Sequence, residues 1–339
     1  MNKASEMKVS ILVPVYGVEA FIGKCARTLF EQDYANIEYV FVNDCTKDRS
    51  IEVILETLKE YPHRESQVKI VNHEQNMGLS MARNTAVAHS SGDFLIPVDS
   101  DDYLSSPTAV SELMRLAVKN DADVVFYDMQ LIYPTGSSVL HTNMPEDYKE
   151  LTRKVLRREL SLTIWGGLYK RKLFTDYGIK SIKEISMGED YVVKARLAYY
   201  MRKIVYCNQP FYCYNQTNVS AITRRFKSSW IDDMEACMRI VKDFFVSKPD
   251  YDEFKEDVSM GAVRGKLSLF PFCAFYGGTS ADFKRIENLF PDDIVSCKSL
   301  GGSEKIVYFL AKYHLKRILK AYIYSGVKLK SLLRLLLIK

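Results

Sequence analysis

Three carboxylates crowd four consecutive positions in Asp99-Ser100-Asp101-Asp102. At the end of a buried strand they repel one another unless a cation joins them, and hard divalent ions take oxygen ligands from carboxylates and from a bound phosphate. A helix cap is the competing use of such residues. That use is weakened because Ser105 or Ser106, followed by Pro107, already offers the next helix a cap and a first-turn proline. Asp44, in Val42-Asn43-Asp44-Cys45-Thr46, can accept hydrogen bonds from a base or ribose, or close an Asx-turn. Tyr16, after Pro14 and Val15, can stack on a base or sit as a rim aromatic. In Gly78-Leu79-Ser80-Met81-Ala82-Arg83-Asn84 the glycine permits a tight turn and Arg83 offers a fork for phosphate. Glu189-Asp190 supplies a general base, or merely the acidic first turn that the helix dipole favours.

The elements that position these residues are legible as pattern. Val9 to Val15, Ile37 to Val42, Val68 to Val71 and Asp93 to Val98 read as short apolar strands. Helical spacing separates them: Phe21 to Phe30, then a helix behind Asp48 carrying Ile51, Ile54, Leu55 and Leu58, then Leu79 to His89. Continuous apolar strands alternating with amphipathic helices predict a parallel sheet covered on both faces. Ligands bind beyond the carboxyl ends of such strands, where Tyr16, Asp44 and Asp99 to Asp102 fall. Further on, Val124 to Tyr127 and Gln130 to Tyr133 read as strands, Glu150 to Leu160 as a helix and Trp165 to Tyr169 as a turn-rich aromatic segment. Asp190 to Met201 reads as a helix and Lys203 to Tyr214 as one or two strands. Beyond Arg225 the pattern turns helical, in Trp230 to Val246, Tyr251 to Leu269 and Ser303 to Tyr324.

Composition removes whole classes of function. With 47% hydrophobic and 26% charged residues in 339, the chain is globular, neither disordered nor a disulfide-dense scaffold. Seven irregularly spaced cysteines without a CxxC pair suit reduced thiols, and the five histidines form no HxxxH or HExxH pattern. The charged start runs into an apolar stretch broken by Pro14, unlike a signal peptide, and no run of 18 apolar residues predicts a membrane span.

Val9-Ser10-Ile11-Leu12-Val13-Pro14-Val15-Tyr16, Val42-Asn43-Asp44, Asn76-Met77-Gly78-Leu79-Ser80-Met81-Ala82-Arg83-Asn84, Asp99-Ser100-Asp101-Asp102 and Glu189-Asp190 occur in that order. The ordered set resembles the family 2 glycosyltransferases over about residues 8–222. The resemblance implies a GT-A fold: a Rossmann-like, mostly parallel α/β sheet flanked by helices, followed here by a C-terminal helical region. It also implies inverting transfer from a nucleotide-sugar, usually a UDP-sugar, with Mn²⁺ or Mg²⁺. Pro14, Tyr16 and Asp44 would line the base pocket, and Arg83, Asp99, Ser100 and Asp101 would hold the rest of the donor. Asp101 and Asp102 would be metal ligands and Asp190 the base, with Trp165 and Glu189 towards the acceptor. Trp165 can stack on an acceptor sugar or pack in the core with equal ease. The family's asparagine after the tyrosine is Gly17 here, and its Trp-Asn-Lys is Trp165-Gly166-Gly167. Its later arginine is missing after Tyr212-Cys213-Tyr214-Asn215-Gln216, leaving Arg224 and Arg225 as nearby cations for the diphosphate.

Domains are expected at 1–225 (donor-binding catalytic), 226–303 (helical) and 304–339 (a cationic amphipathic tail). That tail holds nine Lys or Arg and one acid, Glu304, for a net charge of +8 within a whole-chain +5, so the remainder is mildly acidic. Cations interleaved with leucine suit a helix lying in an anionic membrane interface, or one packed on its own protein or a second subunit. They do not suit nucleic acid, which wants stacking aromatics. The expected protein is a cytoplasmic enzyme, peripheral on the inner face of the cell membrane, acting on a glycan or lipid-linked acceptor; homo-oligomerisation stays open. The alternative is an inactive nucleotide-binding subunit of a polysaccharide complex, against which the intact carboxylate set argues. A sugar nucleotidylyltransferase would need a glycine-rich loop after the first strand, and a dinucleotide oxidoreductase GxGxxG; neither is present.

Overall fold

The computed structural model describes residues 7–218, 226–293 and 300–313, with a few more up to 325. Two compact units divide the chain: Met1–Val155 with Glu159–Val219, and Leu156–Arg158 with Ser220–Lys339.

The first unit alternates strand and helix as the apolar pattern predicts: β1 (Val9–Val15), α1 (Glu19–Phe30), β2 (Ile37–Asn43), α2 (Ser50–Leu58), β3 (Val68–Asn72), α3 (Leu79–His89) and β4 (Phe94–Pro97). β5 (Tyr103–Leu104), α4 (Ala109–Asn120), β6 (Val124–Tyr133), β7 (Gly136–Leu140), α5 (Tyr148–Leu156), β8 (Gly167–Lys170), α6 (Lys172–Thr175), α7 (Glu189–Tyr200) and β9 (Ile204–Asn215) follow. The sheet order is β3-β2-β1-β4-β8-β6-β9-β5, with β7 paired to β6. β3, β2, β1 and β4 are mutually parallel, so their carboxyl ends share one edge. Val9, Ile11, Val13 and Val15, with Phe94, Ile96 and Val98, build the core beneath α1 and α4. The opposite side of β1 and β2 is covered by α3. No register slip is tolerable in such a sheet, because shifting by one residue would turn these faces over.

Three expectations change. The helix after Pro107 starts at Ala109 rather than on the proline, and Ser106 Oγ accepts from Thr108 N at 3.2 Å ahead of it. Val124–Tyr133 is one strand, whose register against β9 shifts between Tyr127 and Met129. Gly167–Lys170, expected as part of a turn-rich segment, is the strand β8, inserted antiparallel between β4 and β6.

The second unit is helical: α8 (Ser229–Val246), α9 (Lys255–Phe275, running past Pro271), α10 (Ser280–Glu287) and α11 (Gly302–Lys312). Thr279 starts α10 through a capping box with Asp282, which satisfies two of the amides that a helix start leaves open. Trp230, Phe245, Phe270 and Phe283 are buried in this unit. Arg224, Arg225 and most of the chain beyond Tyr313 lie outside the described residues. No helix among the described residues is long and apolar enough to cross a membrane, and none of the six described cysteines forms a disulfide.

Candidate active site

The chemistry gathers on the shared edge of the four parallel strands. Asp44 leaves β2 with both carboxylate oxygens engaged. Oδ1 accepts from Met77 N at 2.7 Å and meets His73 Nδ1 at 2.7 Å, and Oδ2 accepts from Gly78 N at 2.8 Å. His73 Nε2 lies 2.9 Å from Thr85 Oγ1 on α3. Gly78 sits at φ +86°, a conformation that favours glycine and sets the start of α3. Asp44, expected to face a base, is only 2% exposed and acts as the tether that aims α3. Tyr16, at the end of β1, is 50% exposed and keeps its ring accessible.

Arg83, just past the first turn of α3, is the hub. Its Nη2 donates to Asp99 Oδ1 at 2.9 Å, and its Nη1 donates to Asp190 Oδ1 at 2.6 Å and reaches Glu189 Oε1 at 3.5 Å. One guanidinium therefore gathers the end of β4 and the first turn of α7. The loop leading to α7 is fixed on α3. Asn84 Nδ2 donates to Ser181 O and Ser181 N returns a bond to Asn84 Oδ1, both at 2.8 Å, while Ser80 Oγ donates to Ile185 O at 3.3 Å. Gly188 then turns the chain at φ +91° into α7.

Charge in this cluster is unbalanced, three carboxylates against one arginine. Burial raises the pKa of both Glu189 and Asp190; the Asp190 charge adds to the rise at Glu189, and Arg83 opposes it at both. Lys194, four residues after Asp190 on α7, is buried and donates to Ser161 O at 2.8 Å and Thr163 O at 3.0 Å. Burial lowers its pKa to about 7, against the pull of Asp190. A carboxylate whose pKa is raised in this way is a stronger base when ionised and can take a proton from a reacting hydroxyl.

The acidic turn after β4 divides its labour. Asp101 Oδ2 accepts from Asn218 Nδ2 at 2.9 Å, and burial followed by repulsion from Asp99 raises its pKa. Asp102, expected as a metal ligand, instead ties the turn to β9. Its oxygens accept from Tyr212 Oη and Asn215 N, each at 2.7 Å, and burial followed by the charges of Asp99 and Asp101 pushes its pKa up to about 9. Tyr212 Oη also accepts from Asp99 N at 3.1 Å, so one phenol holds both ends of the turn. Ser100 is buried between them. Among the described residues, no group of three or more His, Cys, Asp or Glu is placed to hold a metal ion. Asp101 with Asp99 is a hard oxygen set of the kind that binds Mg²⁺ or Mn²⁺ jointly with substrate phosphates, not as an all-protein cage.

Trp165 is 5% exposed and lies flat on Tyr212, with ring centroids 4.7 Å apart and planes at 9°. Tyr214 approaches it at 4.7 Å and 46°. Its stacking surface is taken up by tyrosines of the core, so the packing reading of Trp165 prevails over acceptor contact. A cavity of about 370 Å³ lies beside the cluster, with Arg83, Asp190, Arg171 and Lys180 among its polar lining and Pro14 and Phe174 among its apolar lining.

Sequence reasoning overlooked His73, Asn84, Tyr212 and Lys194 as working parts. Lys194 carried a readable signal, since Asp190 and Lys194 have the i,i+4 spacing that puts both on one helical face. The other three act through loop backbone and long-range partners, which spacing does not reveal.

The sequence profile described as Glycosyl transferase family 2 matches residues 10–178. The uncharacterized glycosyltransferase EpsJ of Bacillus subtilis (strain 168) is 26% identical, over 93% of this chain and 95% of its own. The Staphylococcus aureus poly(ribitol-phosphate) β-N-acetylglucosaminyltransferase TarS is 27% identical over 56% of this chain and 33% of its own. The crystal structure of S. aureus TarS 1–349 with UDP-GlcNAc superposes with a TM-score of 0.72 at 18% identity, covering 95% of this chain and 92% of that one. A Pyrobaculum calidifontis mannosyltransferase solved with GDP-Man and Mn²⁺ has a TM-score of 0.52 at 13% identity, covering 95% and 86%. These structural likenesses establish a common fold.

Proposed function

The chain belongs to the family 2 glycosyltransferases, and on that premise we propose that it is an inverting enzyme transferring one sugar from a UDP-sugar to a hydroxyl of a glycan or lipid-linked acceptor in surface-polysaccharide synthesis. The observation that carries the reading is the Arg83 fork, which joins Asp99 of the acidic turn to Asp190 of α7 at the edge where ligands of parallel sheets bind. On this reading the residue proposed to hold the donor and the proposed base share one guanidinium, which supports a common register for a single displacement.

In this reading Tyr16 stacks on the base, and Pro14 and the turn held by Asp44 shape the pocket around it. Asp99, Ser100 and Asp101 hold the ribose and diphosphate. Asp101, with Asp99, would hold a Mn²⁺ or Mg²⁺ ion, which would supply positive charge against the negative charge that the leaving group acquires. The acceptor hydroxyl attacks the anomeric carbon from the face opposite the diphosphate. Its oxygen forms the new glycosidic bond as the carbon–phosphate-oxygen bond breaks, and its proton passes to the Asp190 carboxylate. Glu189, beside Asp190, faces the acceptor side. The UDP-GlcNAc bound by TarS makes that donor the first to try. The work is assigned to the cytoplasmic face of the cell membrane, where a lipid-linked acceptor would lie.

A thermal-shift screen of nucleotide-sugars with and without Mn²⁺ tests the reading, because a ligand that binds the native state raises its apparent stability. One UDP-sugar should raise the melting temperature, and more so with the metal. No shift from any nucleotide-sugar at millimolar concentration would remove the proposed donor site.

A further inference from the structure

Helix α11 carries apolar residues on two faces. Val307 and Leu310 are buried in the second unit, where α11 packs on α9, and Glu304 pairs with Arg264 at 3.1 Å. Ile306, Phe309 and Tyr313, recurring at i, i+3 and i+7, form a second stripe that faces solvent; Phe309 is 55% and Tyr313 57% exposed, and their rings lie 4.6 Å apart. A packed helix normally turns its second face to water with charges, so this aromatic stripe calls for an occupant. Sequence supplies the complement. Lys305 is exposed beside the stripe, and the chain from 304 to 339 holds nine Lys or Arg and one acid, ending Leu332-Leu333-Arg334-Leu335-Leu336-Leu337-Ile338-Lys339.

We propose that this face of α11, with the cations that follow it, seats the enzyme on an anionic phospholipid surface. Ile306, Phe309 and Tyr313 would enter the headgroup boundary and the lysines and arginines would meet the lipid phosphates. Phenylalanine and tyrosine suit that boundary, one offering apolar area and the other an amphipathic ring. A second copy of the chain is the poorer occupant, because its own 304–339 carries the same net charge of +8 and like charges repel. The docking deepens the membrane-surface part of the proposed function and is independent of its transfer chemistry.

The packed face of α11 makes deletion of 304–339 an ambiguous test, so substitutions of exposed side chains are preferable. Full-length protein should sediment with vesicles of equimolar phosphatidylglycerol and phosphatidylcholine, and not with phosphatidylcholine alone. The Ile306→Ser, Phe309→Ser, Tyr313→Ser triple variant should bind the anionic vesicles about tenfold more weakly or worse, with its melting temperature and its UDP-sugar thermal shift retained. If that variant folds poorly, Phe309→Trp serves: its added fluorescence, over the wild-type background, should shift to the blue with anionic vesicles. The proposal is overturned by absent vesicle binding, by equal binding of the triple variant, or by an unshifted Phe309→Trp spectrum. It is equally overturned by light scattering that shows a dimer dissolved in the triple variant while vesicles bind neither form. The donor screen, run without lipid, fails or succeeds separately.

Discussion

Replacing Arg83 with methionine removes the charge that favours the ionised form of Asp190, the proposed base. The guanidinium contacts Asp190 at 2.6 Å, Asp99 at 2.9 Å and Glu189 at 3.5 Å, and the side chain is 11% exposed. Unit charges about 4 Å apart at an effective dielectric of about 20 interact by about 4 kcal/mol. Partial solvent access at Asp190 screens part of that attraction, and what remains favours the ionised carboxylate. The sign follows from the balance at Asp190. Burial raises its pKa, Arg83 lowers it and Asp99 raises it, so losing Arg83 raises it further. A base works only when ionised, so the acidic limb of the pH–rate profile should move to higher pH, with activity on that limb falling towards the loss of about 10²–10⁴-fold that removal of a positioned base causes. The assay is donor turnover against pH for the wild type, Arg83→Met and Arg83→Lys. Lysine keeps the charge without the fork, so it should restore part of the shift but not the registration of Asp99 with Asp190. An Arg83→Met limb at the wild-type pH would show that Asp190 does not owe its ionisation to this contact.

Two further outcomes concern stability. Glu38 is buried, yet hydrogen bonds from Ser10, Ser91, Lys8 and Lys69 overcome the upward push of burial and hold its carboxyl well below the usual range. A lowered folded-state pKa stabilises above the unfolded value of about 4.3 and loses that contribution as pH falls further. Wild-type melting temperature should therefore drop as pH falls below about 4, and Glu38→Gln should lower it at neutral pH and flatten the acid dependence, as calorimetry can check. Trp165→Ala should cost about 3–5 kcal/mol in denaturant unfolding, as large-to-small changes in a core do; an unchanged midpoint with a raised acceptor KM would return Trp165 to the acceptor site.

The parallel half of the sheet was legible because Val9–Val15 and Ile37–Asn43, buried on both faces, read as apolar runs interrupted only by Ser10, Glu38 and the closing Asn43. Gly167–Lys170 was not, because its two preceding residues, Trp165 and Gly166, and its own Gly167 carry turn-like chemistry; only insertion between β4 and β6 makes it a strand. Asp99, Asp190 and Arg83 were identified from motif order, and the fold brings them within one guanidinium's reach. The separate duties of Asp101 and Asp102 were hidden. Which carboxylate stays at the site depends on Tyr212 and Asn215, more than a hundred residues downstream, and adjacent aspartates look alike in sequence. Asp44 was hidden for a similar reason, since the amides of Met77 and Gly78 that engage it belong to backbone geometry.

The most direct measurement is sugar transfer by Asp190→Asn, using the donor that the thermal-shift screen selects. Asparagine preserves the shape of the side chain and can still meet Arg83, but it cannot accept the acceptor's proton. Transfer should fall by about 10²–10⁴-fold, the usual contribution of a positioned base, with the donor-induced thermal shift retained. Transfer within tenfold of wild type, with the same donor binding, would contradict the assignment of Asp190 as the base.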